Sequence, residues 1–156
     1  MPHVSGGLTP SFANSAGIVS RLVVALAWAG VLPMLGCVIF LQTPLGVLLL
    51  KSYSLAIIAF LSGSWWSTAL ITQGLVREQR GQVLLLCNGI VLVGIAGVVF
   101  MDDRSLLLLG ALYGCLLWGE RSLSAFGKQP SYYRLMRAGV TCAVMILHLL
   151  AYWLSL

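Results

Sequence analysis

Glu120 and Arg137 are the two residues of this chain whose chemistry most needs explaining. Each lies at the margin of a long apolar run, and Glu120 is the acidic residue that does not fall in a short loop. A carboxylate beside hydrocarbon is costly unless a cation meets it. Arg137 is the better partner than Arg121, because consecutive helical residues point about 100° apart and cannot easily face each other. Arg21, Trp65, Trp66, Asn88 and Tyr133 are expected at a comparable depth on neighbouring helices. Such a set could hold an anion or a lipid headgroup. The plainer reading, which outweighs it, is an ion pair that fixes helix packing among side chains reaching for the interface.

Other chemistry finds no footing. The chain has no Gly-x-Ser-x-Gly, no His-Glu-x-x-His, no phosphate-binding glycine loop and no pair of aspartates within apolar runs. Asp102 and Asp103 stand next to Arg104 and read as a solvated turn rather than a magnesium site. Cys37, Cys87, Cys115 and Cys142 fall in four different apolar runs without a Cys-x-x-Cys pair, and are expected as small buried hydrophobes. His148 has no second histidine within an apolar run to share a haem, so a helix–helix hydrogen bond is expected of it. No catalytic residue, metal ligand or cofactor is assigned; a bound lipid is the one small molecule the composition invites.

These residues must be positioned by an unusual scaffold. Of 156 residues, 60% are hydrophobic and 8% charged, against roughly 25% charged in ordinary soluble domains. The apolar residues form runs near the ~20 residues that cross a bilayer as a helix. The expected fold is all-α, a polytopic integral membrane bundle of five transmembrane helices. A tail covers residues 1–17 and the five-helix domain residues 18–156, with spans at about 18–42, 45–74, 82–101, 105–124 and 134–154. No Lys or Arg precedes the first apolar run, so a cleaved signal peptide is not expected. Pro33 should kink the first span around Ala29–Gly30, since it cannot donate to the preceding turn. Arg77 to Gly81 reads as a short charged loop. Glu120 and Arg121 should belong to the last helical turns of the fourth span.

The second span carries an unusual stretch from Phe60 to Ala69, with four small hydroxyl residues, a glycine and two tryptophans. Gly63 and Ser67 in it, like Gly110 and Gly114 in the fourth span, are spaced to let helix backbones approach closely. Five spans alternate the sides of the connecting loops. One side collects Arg21, Arg77, Arg80, Arg121, Lys128, Arg134 and Arg137; the other holds Lys51 and Arg104. Basic loops stay cytoplasmic, so the N-terminus is expected inside and the C-terminus in the periplasm, or at the mitochondrial equivalent. Lys51 should snorkel outward to Asp102 or Asp103. The net charge of +5 is thus an orientation signal, and no nucleic-acid partner is expected.

Several motifs, in order, carry a likeness to a family. Gly30-Val-Leu-Pro33, Tyr53, Phe60-Leu-Ser-Gly63 with Trp66, an acidic residue after Trp118, and Pro130-x-x-Tyr133-x-x-x-Arg137-x-x-x-Thr141 together resemble the transmembrane protein 69 family. The likeness spans roughly residues 20–155. It implies a bacterial inner-membrane or mitochondrial location and a domain of unknown function. Members commonly carry histidine or arginine where this chain has Trp65, and aspartate where it has Glu120. On this footing the expected role is non-enzymatic: an inner-membrane accessory or assembly subunit packed against a larger complex, respiratory or otherwise energy-transducing. Its partners would be the lipid bilayer and other integral membrane subunits. The alternative is a small carrier or channel with a polar cytoplasmic mouth; a lipid- or quinone-modifying enzyme ranks last.

Overall fold

The computed structural model describes the backbone of residues 10–127 and 129–156, and side chains from residue 17 onward. Long apolar sequence folds here into helices, the form that satisfies every backbone donor and acceptor within its own segment. In chain order these are α1 (Pro10–Ala29), α2 (Val31–Ile39), α3 (Pro44–Ile71), α4 (Arg77–Phe100), α5 (Arg104–Ser122), a single 3-10 turn (Ser124–Phe126) and α6 (Ser131–Leu154). Four stretches, Gly17–Ile39, Pro44–Ile71, Arg77–Phe100 and Ser131–Leu154, are long and apolar enough to cross a membrane. The described chain therefore has the build of a helical membrane protein. α5, whose last turns carry Glu120 and Arg121, is not among the four.

The first span breaks at Gly30, four residues before Met34 and just ahead of Pro33, as a proline-induced kink requires. Tyr53 on α3 braces the break by donating to the Gly30 carbonyl at 3.0 Å. Thr43 caps α3, its hydroxyl accepting from the Gly46 N–H at 3.1 Å, with Pro44 in the first turn, where a missing N–H costs nothing. Two boundaries differ from the sequence expectation. Residues 77–81 are not a loop: α4 starts at Arg77, and the chain turns through 72–76, where Gly74 takes a φ of +84°. Glu78 in the first turn of α4 suits the positive end of the helix dipole, so charged residues there favour helix. At the other end of the chain α1 already begins at Pro10, a residue well suited to a first turn, so residues 10–17 are helical rather than tail; residues 1–9 lie outside the described residues.

α5 is the centre. It packs on α6, α4 and α3, and Leu106, Leu109, Tyr113, Leu116 and Glu120 are buried along it. α3, the expected organising helix, shares that position, packing on α2, α4 and α5. Gly110 lets α6 approach α5, since a Cβ there would come within 3.2 Å of the His148 Cβ, and Gly114 faces Met145 in the same seam. Two other packing expectations fail within the chain. Gly63 has nothing within 4 Å of where its Cβ would stand, and Ser67 is exposed, because both point away from the bundle. The cysteines also divide. Cys87 is buried, but Cys115 and Cys142 face outward, as small apolar residues can when the surroundings are lipid.

Candidate functional site

At one end of the bundle α3, α5 and α6 each supply one arm of a buried polar network. Glu120, in the last turn of α5, accepts from Arg137 Nε at 3.2 Å on Oε1 and 3.1 Å on Oε2. The indole N–H of Trp65 on α3 donates to the same Oε1 at 3.1 Å. Arg137 Nη1 donates to Thr141 Oγ1, one turn further along α6, at 3.4 Å. Trp65 is 1% exposed, Arg137 6% and Glu120 7%, so the ion pair is withdrawn from its surroundings on every side. A pair this dry must be hydrogen-bonded well to persist, since both charges have been taken from water. The helix connection makes it possible: a short reversal after α5 brings the start of α6 back beside the end of α5.

Two residues that the sequence reading did not single out complete the site. Gly119 has no side chain where the Trp65 ring lies against α5; a Cβ would overlap that ring. Phe126, in the 3-10 turn, packs on the other side of Trp65 with ring centroids 5.0 Å apart. The indole is thereby fixed edge-on to the carboxylate. The one available signal was sequence adjacency, a glycine directly before the buried acid. Thr141 was visible only as the last position of the Pro130-to-Thr141 motif.

The remaining members of the expected cluster go elsewhere. Tyr133 is half-buried and lines a cavity that also reaches Arg137. Arg21 is exposed on α1. Trp66 and Asn88 sit on a different face, since Trp66 follows Trp65 by about 100° of helix rotation and so cannot share its direction. Of the seven residues grouped by depth, the structure brings together Trp65, Glu120 and Arg137, with Tyr133 one turn from Arg137; rotation about the helix axes turns Trp66 away, and Asn88 lies near the middle of α4.

That other face is a hollow of about 510 Å³ between α3 and α4, lined by Ala59, Ser62, Gly63, Trp66, Cys87, Asn88, Val91 and Leu92. Ser62 is 3% exposed, and its Oγ has no hydrogen-bond partner among the described residues. Asn88 Nδ2 donates to Leu84 O at 2.7 Å, while its Oδ1 accepts nothing among the described residues. Asn88 lies eleven residues into the 24-residue α4, close to mid-depth of that helix.

Lys51 and His148, both buried, are satisfied inside the bundle, whereas Arg80 Nε and Arg137 Nη2 have no partner among the described residues. Lys51 Nζ donates to Asp102 O at 2.7 Å and to Asp103 Oδ1 at 3.1 Å, the outward reach its position called for. His148 stands between Val144 O, 2.8 Å from Nδ1, and Ser54 Oγ, 2.8 Å from Nε2. A carbonyl can only accept, so Nδ1 carries the proton and Nε2 accepts from the Ser54 hydroxyl. Both ring nitrogens are thus committed to packing α6 on α3.

Fold and site together define a class: an apolar helical bundle of membrane type, held at one end by a buried, tryptophan-capped carboxylate–guanidinium pair. The chain belongs to the DUF3429 family, proteins of unknown function, whose family model matches residues 19–153. Nothing in that match links the chain to the transmembrane protein 69 family specifically. No curated protein and no solved structure matches the chain.

Proposed function

We propose that this protein is a non-enzymatic accessory or assembly subunit of a larger membrane complex, and that the α3–α4 hollow receives a transmembrane helix of its partner. The observation that carries this is Asn88, exposed near mid-helix with an Oδ1 that accepts nothing among the described residues, beside a hollow that Ser62, its buried Oγ likewise unpartnered, also lines. In hydrocarbon a polar atom without a partner is expensive, and an acyl chain offers it nothing. A helix can supply a hydroxyl or amide, and Ala59, Ser62 and Gly63 leave room for its backbone to approach. The partner helix should accordingly carry small residues and one polar side chain near mid-depth.

In this reading α5 is the fifth crossing. Its 19 residues reach about 28 Å, enough to cross, and its acid is admissible because it is paired and enclosed by the other helices. Arg21, Arg77, Arg80, Arg121 and Arg134 then face the cytoplasm of a bacterial inner membrane or the matrix of a mitochondrion, with the C-terminus on the far side. The resemblance to transmembrane protein 69 supports the same location. Reporter fusions after Gln79 and after Leu156 should report opposite sides; the same side from both would remove the fifth crossing. The role itself is tested by purification from native membranes in a mild detergent, with identification of co-purifying integral proteins. Recovery of the bare monomer under every solubilisation condition would sink the subunit reading.

A further inference from the structure

Asn88 fixes the chemistry of the side chain that enters the α3–α4 hollow. Leu84 O can only accept, so the amide turns Nδ2 toward it, and the 2.7 Å contact settles which end of the amide is which. The same Nδ2 lies 3.9 Å from Cys87 Sγ, a weak acceptor, and Cys87 Sγ itself donates to Leu84 O at 3.2 Å. The donors of this pair are thus occupied within α4. Oδ1 accepts nothing among the described residues, and Asn88 is exposed beside a hollow in which Gly63 stands free of neighbours. What this surface lacks is a donor.

Depth excludes most sources of one. Asn88 lies eleven residues from the start of α4 and twelve from its end, so about 16 to 18 Å of helix separates it from either rim. Acyl chains carry no polar hydrogen, and lipid ester carbonyls only accept. Headgroup hydroxyls and ammonium groups do donate, but they lie about 15 Å away, beyond half the hydrocarbon thickness. Water does not meet backbone or side chain at that depth. A side chain on another membrane-spanning helix remains, and Ala59 and Gly63, four residues apart on α3, let its backbone come close. Two copies of this chain meeting at Asn88 would set one bare acceptor against another, so that contact leaves the deficit in place.

We infer that the helix docking here belongs to a different chain and presents an N–H or O–H donor to Asn88 Oδ1 at mid-depth. This rests on the accessory-subunit reading and specifies which partner helix that reading admits.

The test isolates full-length parent, Asn88→Leu and Asn88→Ser chains from native membranes in a mild detergent and measures partner retained per chain. Leucine has no acceptor. A serine hydroxyl donates to the carbonyl four residues back, as Nδ2 does, and keeps an oxygen that accepts. Asn88→Leu should lower retained partner about threefold or more, the size of one hydrogen bond between membrane helices. Asn88→Ser should keep most of it. Because Asn88 is exposed, both variants should melt close to the parent. A photoreactive side chain at Leu92, one turn beyond Asn88 in the same hollow, should mark a helix of another protein within a turn of a donor-bearing residue. Full retention by Asn88→Leu, equal loss in both variants, or an adduct flanked only by apolar residues would each overturn the inference and leave the subunit reading standing. A parent that retains no integral protein would remove that reading, and this inference with it.

Discussion

The two hollows that flank α3 hold nearly equal volumes, about 500 and 510 Å³, yet their linings differ in kind. One is walled by aromatic, aliphatic and thioether side chains and ends at a guanidinium whose charge is cancelled by its own carboxylate. The other has a floor of alanine, serine and glycine, with an asparagine at mid-depth. A floor of small residues admits another backbone, which large side chains would hold off. Each hollow is lined by one residue with a buried polar atom that has no partner among the described residues, Arg137 through Nη2 and Ser62 through Oγ.

The comparison predicts that substitutions at the two sites will separate stability from assembly. The largest stability loss should come at the ion pair. Glu120→Gln or Arg137→Gln leaves a lone buried charge, a loss on the order of 3–5 kcal/mol for a fully enclosed pair. Thermal unfolding in detergent should fall clearly in each, and the exchanged double variant, Glu120→Arg with Arg137→Glu, should recover part of it. Silent single variants would mean that the two residues act independently. Next comes Trp65→Phe, which keeps a ring against Gly119 but deletes one of the donors to Glu120; about 1 kcal/mol is expected by the same measurement.

Lys51→Met is a smaller perturbation. Its partner Asp103 is 47% exposed at the side chain, so the outer pair is screened where the inner one is not. A loss of about 1 kcal/mol or less is expected, decreasing with added salt. A loss matching that of Arg137→Gln would show that the two ends are equally dry. The smallest stability effect belongs to Gly63→Phe. Nothing stands within 4 Å of the site of its Cβ, so the isolated protein should unfold within about 0.5 kcal/mol of the parent. The same variant should nonetheless lose its co-purifying partner.

Much of this was legible in the residues before any coordinates. The helices, the break ahead of Pro33, the outward reach of Lys51 and the Glu120–Arg137 pairing all follow from one-dimensional quantities: apolar length, proline chemistry and depth counted along a helix. What was illegible is azimuth. Trp65 and Trp66 are adjacent in sequence, but one is sealed against Gly119 and the other lies 44% exposed beside Asn88. Periodicity distinguishes helix faces when one face is polar, and here almost every face is apolar. For the same reason Gly63 and Ser67 could not be told from Gly110 and Gly114, although the first pair faces out and the second pair seats α6. Residues 77–81 were misread because charge suggested a loop, where it instead fits the first turn of a helix.

Site-specific photo-crosslinking in native membranes tests the central claim most directly. A photoreactive side chain is placed at position 63 or 88 in the α3–α4 hollow, and at the exposed Leu149 on α6 as a control. The account predicts a discrete crosslink to another integral membrane protein from 63 and 88 and none from 149. Adducts only with lipid, or only with a second copy of this chain, would contradict it.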